Sequence, residues 1–125
     1  MRMVIADDWS IVFYTTKSGR NPVQEFLDTL DAKTNSRFIW SIRELHRRNV
    51  HARKPLVKHI EEKLWELREE SMGNIHRIIY VFFTGRKIIL LHGFQKKSRQ
   101  TPRREIDIAS SRLKDFIDRQ GGEND

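Results

Sequence analysis

The chain has no cysteine in its 125 residues, so neither disulfides nor a cysteine-based metal site can hold its fold. A reducing compartment suits such a chain. Proline is scarce: Pro22, Pro55 and Pro102 are the only three, which excludes a proline-rich or collagen-like character. Long apolar runs are also missing. The longest, Ile78–Phe83 and Ile88–Leu91, are too short to span a bilayer. Met1 to Trp9 carries Asp7 and Asp8 and no apolar stretch. No secretion signal is therefore expected, and the expectation is a cytoplasmic protein with no membrane partner.

Common catalytic signatures are absent as well. The sequence has no P-loop, no G-x-S-x-G, no H-E-x-x-H and no C-x-x-C. Its five histidines, His46, His51, His59, His76 and His92, are not at metal-ligand spacing. Neither a metal nor a cofactor is expected.

Positive charge is in surplus. Lys and Arg number 24 against 17 Asp and Glu, a net charge of +7. Such a surplus in a small domain steers polyanions toward it, whether a phosphate backbone or an acidic protein. The length fits one domain over residues 1–125, long enough to bury a core without staples.

Trp9 to Thr16 is β-branched and aromatic and reads as a strand. Asn21-Pro22 supplies a cap and a first-turn proline, so a helix is expected over 22–30. A second helix over 32–48 carries the stripe Phe38, Ile39, Ile42 and Leu45, with Trp40 to one side. His51 to Pro55 reads as a loop. Lys63 to Arg68 alternates, with Leu64, Glu66 and Arg68 on one face, and Glu69 to Asn74 reads as a turn. Strands are expected over Ile75–Phe83 and Lys87–Phe94, joined at Thr84-Gly85-Arg86. Thr101-Pro102 opens a last helix by the same cap-plus-proline logic. Gly121-Gly122 stops it, and 118–125 is expected to fray. The expected fold is α+β: an antiparallel sheet of about four strands, with two N-terminal helices and a C-terminal helix packed on it.

Misfits on the strands mark a candidate site. Arg77 shares a face with Ile75, Ile79 and Val81, and a charge among apolar neighbours must be paired or reach a cleft. Two readings stand: a structural ion pair with Glu66, or an arginine whose planar fork binds a scissile phosphate. With Arg68, these residues can form a charged patch able to cleave RNA without metal, using a base, a phosphorane-neutralising cation and an acid. Glu66 is a candidate base or an arginine-orienting group. His92 is a weaker acid–base candidate, with a purely structural role as its alternative. Lys96 and Lys97 follow the last strand beside a helix start, where an anion site can form. Arg47, Arg48, Arg53 and Lys54, together with Arg99, Arg103 and Arg104, are candidate RNA-docking residues.

Several pieces, taken in order, resemble the RelE/ParE toxin superfamily, and its phage-derived, HigB-like branch in particular. They are Lys63-Leu-Trp-Glu-Leu-Arg68, Arg77-Ile-Ile-Tyr80, Leu91-His-Gly-Phe-Gln-Lys-Lys97 and Thr101-Pro-Arg-Arg-Glu105. The resemblance runs from Phe13 to Phe116. It implies a RelE-like fold and a type II toxin that cleaves mRNA on the ribosome, neutralised by a cognate, often helix-turn-helix, antitoxin. By motif position, Arg77 matches the family's arginine after the central turn, and Lys96 or Lys97 the basic residue after the last strand. Where relatives carry two strand lysines this chain has Leu64 and Glu66, and a tyrosine near the last helix is absent. Two other functions fit the same pattern: a ParE-like gyrase inhibitor that acts by binding, and a non-catalytic nucleic-acid-binding module.

Overall fold

A computed structural model describes residues 9–71, 73–96 and 100–123. The elements are β1 (Ser10–Phe13), α1 (Pro22–Asp28), α2 (Ala32–Arg48), β2 (Val57–Glu61), β3 (Leu64–Ser71), β4 (Asn74–Phe83), β5 (Lys87–Lys96) and α3 (Arg103–Glu123). The Asn21 side chain accepts from Gln24 N–H at 3.1 Å and Pro22 opens α1, as the local sequence dictates. Asp31 caps α2 in the same way, accepting from the Thr34 backbone at 2.8 Å.

The sheet has five strands rather than four, ordered β1-β5-β4-β3-β2. The added strand is β2, in a stretch whose polar residues and register shift between His59 and Glu61 hide the alternation. Polar, irregular strands are common at sheet edges, where they discourage pairing with other chains. The sheet is also not purely antiparallel, because β1 runs parallel to β5. Ile88, Ile89, Leu90 and Leu91 are all buried, the pattern of a strand covered on both faces and flanked on both sides. The segment read as a turn from Glu69 is still strand to Ser71, and the reversal falls around Gly73, whose φ of +79° suits glycine.

The helices divide between the two faces of the sheet. Val23, Leu27, Phe38, Ile42 and Leu45 of α1 and α2 pack on Leu67, Ile78, Tyr80, Ile88 and Leu90. Ile106, Ala109 and Phe116 of α3 pack on Leu64, Ile79, Val81, Ile89 and Leu91 of the other face. The architecture is thus a sheet between two helical layers. The last helix runs through Gly121 and Gly122 to Glu123; each glycine costs only about 1 kcal/mol in a helix relative to alanine.

One irregularity matters for function. Ile79 pairs with His92 but Tyr80 pairs with Leu90, so Leu91 is an extra residue in β5. Such a bulge shifts the facing of every later side chain. Phe94 and Lys96 therefore lie opposite Arg77 and Ile75 on the α3 face.

Candidate functional site

Glu66 and Arg77 sit on the α3 face, at the end of the sheet from which the chain enters α3. Each side chain is only 1% exposed. The Arg77 Nη1 donates to Glu66 Oε2. The other carboxylate oxygen, Oε1, accepts from the Thr101 hydroxyl at 2.7 Å. Thr101 is thus spent on Glu66, not on a helix cap. The helix starts one residue later than the cap-plus-proline pattern implies, with the Pro102 carbonyl accepting from Glu105 and Ile106. The Nε and Nη2 of Arg77 are buried and have no partner among the described residues. An unused pair of donors on a buried guanidinium is costly, and an arriving anion would relieve it.

Three further cations surround this pair. Lys58 lies opposite Glu66 on β2, and Arg68 lies opposite Arg77 on β3. Lys96, at the end of β5, is buried at 4% exposure. Burial, followed by the charges of Arg77, Lys58 and Arg68, pushes its ammonium down from an ordinary 10.5 to about 8. Burial likewise pulls Arg77 below the usual guanidinium value. The cluster therefore sets four cations around one carboxylate, and one of the four exchanges its proton near neutral pH.

Of the candidate catalytic residues, Glu66, Arg68, Arg77 and Lys96 converge. The buried ion pair and the cationic cluster prove to be one arrangement. His92 stands apart from it. Its Nε2 lies 2.6 Å from Glu105 and its Nδ1 lies 3.1 Å from Arg112 Nη1, so α3 occupies both ring nitrogens. Lys97 and Arg99 lie outside the described residues. Lys58 carries no signal in the sequence, because the strand that holds it does not alternate regularly, and Thr101 reads there only as a cap.

The candidate docking residues are dispersed. Arg47 and Arg48 both pair with Glu44 at the end of α2. Arg53 donates to the carbonyls of Val50 and Ala52, and Lys54 is exposed beside it. Arg103 clasps Glu61 of β2 through two contacts, at 2.8 and 3.0 Å, and also holds Asp107. Arg104 is exposed on the first turn of α3. Among the described residues, no three His, Asp or Glu side chains converge as a metal centre. Nor is any described helix long and apolar enough to cross a membrane.

The family model described as phage derived protein Gp49-like (DUF891) matches residues 25–114, from α1 into α3 and across the whole cluster. No curated protein matches the chain.

Proposed function

The chain belongs to the phage-derived Gp49-like family, a RelE-like toxin family, and from that premise we propose that it is the toxin of a type II toxin–antitoxin pair, of the HigB-like branch, acting as a ribosome-dependent mRNA endoribonuclease. The observation that carries this reading is the buried Arg77 edge, whose Nε and Nη2 have no partner among the described residues, ringed by Lys58, Arg68 and Lys96.

The chemistry follows from the groups present. Neutral Lys96 takes the proton of a ribose 2′-hydroxyl, and the 2′-oxygen attacks the adjacent phosphorus. Arg77 and Arg68 neutralise the phosphorane as its charge develops. The P–O5′ bond breaks and O5′ takes a proton from the Lys58 ammonium, leaving a 2′,3′-cyclic phosphate and a 5′-hydroxyl end. Glu66 fixes the Arg77 fork and is not free to serve as the base. The partners in this reading are mRNA, the ribosome and an antitoxin that covers the cationic cluster.

The test is induced expression with primer extension on cellular mRNA. Wild type should arrest growth and create new 5′ ends, whereas Lys96→Gln and Arg77→Lys should do neither. Growth arrest without new ends, accompanied by inhibition of gyrase supercoiling, would move the assignment to the ParE-like alternative.

A further inference from the structure

The outer edge of β3 is only half covered. Its pairing with β2 spans Leu64–Leu67, and Arg68 N–H donates to the Leu56 carbonyl just beyond. The notch left there holds a cleft of about 400 Å³, lined by Trp40, Arg48, Pro55, Leu56, Arg68 and Glu69 among others. Because the sheet has lost its edge strand at this point, the cleft touches side chains of both faces.

Trp40 is 58% exposed. The core side of α2 is complete without it, since Phe38, Ser41, Ile42 and Leu45 are buried. Its indole is therefore no part of the described core. The charges lining the cleft are mixed. Arg48 pairs with Glu44, and Glu69 accepts from Ser41 at 3.0 Å while keeping acceptor capacity. A phosphate is poorly served by a carboxylate lining. A nucleobase is well served, because its face is apolar and its edge presents both N–H donors and acceptors. The volume lies near the lower end of the range of about 300–1,000 Å³ for small-ligand sites, enough for one nucleoside. Arg68 belongs to both places: it lines the cleft, and its charge reaches Lys96 in the cluster.

We infer that the Trp40 cleft is a base-binding subsite for single-stranded RNA. One base next to the cleaved linkage stacks on the Trp40 indole, and Arg68 holds the phosphate between cleft and cluster. This inference rests on the ribonuclease reading above and adds the residue that grips the strand.

The experiment measures fluorescence anisotropy of a fluorescein-labelled, mixed-sequence, single-stranded octaribonucleotide against wild type, Trp40→Phe and Trp40→Ala. Base–aromatic stacking predicts that Trp40→Ala binds about 10- to 100-fold more weakly, with Trp40→Phe within about threefold of wild type. RNA should quench wild-type indole emission, and most of that quenching should vanish in Trp40→Phe although binding persists. Equal unfolding midpoints for all three proteins exclude a folding effect. If wild type cuts mRNA in cells but Trp40→Ala binds RNA as tightly as wild type, the subsite is wrong and the ribonuclease reading stands. If Trp40→Ala keeps its RNA affinity but escapes the antitoxin, the cleft serves a protein and the inference is overturned. If wild type neither cuts mRNA nor binds the octamer, the ribonuclease reading itself fails.

Discussion

Arg77 and Glu66 form an ion pair inside the molecule, both side chains 1% exposed, with Thr101 holding the second carboxylate oxygen. Glu66→Leu leaves the Arg77 guanidinium buried without its counter-ion and should cost about 3–5 kcal/mol. Arg77→Met should cost less, because Lys58, Arg68 and Lys96 still stand around the Glu66 carboxylate. The double variant should regain most of that loss, because two apolar groups can replace a buried pair at little net cost. Urea unfolding of the four proteins measures this cycle. The double variant should also be harmless on expression, since the phosphate-binding guanidinium is gone. Growth arrest by a stable double variant would remove Arg77 from the active site.

Lys96 links the cluster to pH. Its ammonium titrates at about 8 in the fold against an ordinary 10.5. Between those values the unfolded chain binds more protons, so stability should rise with pH across that window. Below about 8 both states carry the proton, and the cost of burying the charge is constant. If neutral Lys96 is the base, single-turnover cleavage should rise with pH and level off above about 8. Lys96→Gln should be slow, with no such step. A rate that falls above that pH would show that Lys96 acts as a cation instead.

The strands and the site were legible to different degrees. Arg77 and Glu66 stood out because period-two alternation put a charge where apolar residues were due, and α3 does cover that face. Lys96 is different. Continued alternation from Ile88 and Leu90 assigns it to the α1–α2 face, yet the extra residue at Leu91 returns it to the side of Arg77. No local pattern announces that bulge. β2 escaped detection because an edge strand need not alternate, and Lys58 was lost with it. Trp40 falls to one side of the α2 stripe already in the sequence; what the pattern does not show is that Ile39, counted in that stripe, is exposed as well, since that depends on how few of α2's residues the sheet needs.

The hydroxyl of Thr101 ties the start of α3 to the buried pair. Thr101→Val keeps the shape and deletes the donor to Glu66 Oε1. A hydrogen bond to a charged group predicts a loss of about 2 kcal/mol, and Thr101→Ser should keep most of the stability. Thermal unfolding of both variants is the check. An unchanged midpoint in Thr101→Val would mean that the contact contributes nothing net.

Gly93 marks a close approach of α1 to the sheet. A Cβ placed there would lie 2.3 Å from Phe26 Cδ2 and 2.7 Å from Cγ. Gly93→Ala should thus overpack the α1–β5 contact and cost about 1–3 kcal/mol or more. Phe26→Leu in the same chain should recover part of that loss by withdrawing the ring. Denaturant midpoints of the two single variants and the double variant test the coupling. Additive losses would mean that the ring is not what the new methyl meets.

His76 should make the fold acid-sensitive on its other face. The ring is 7% exposed, centred 6.3 Å from the ring of Phe26 and 6.4 Å from that of Phe38. Its Nδ1 has no partner among the described residues. Burial lowers its pKa from 6.5, and the facing carboxylates of Asp31 and Glu69 offset this only in part. In the window between the lowered value and 6.5 the unfolded chain binds more protons, so stability should fall as pH drops below about 6.5. His92 is also lowered, chiefly by burial, and adds to the same slope. His76→Phe keeps an aromatic ring against Phe26 and Phe38 and removes the titration. Urea midpoints at about pH 7 and about pH 5 should then differ less in His76→Phe than in wild type, with the remainder due to His92. An unchanged difference would place the acid sensitivity elsewhere.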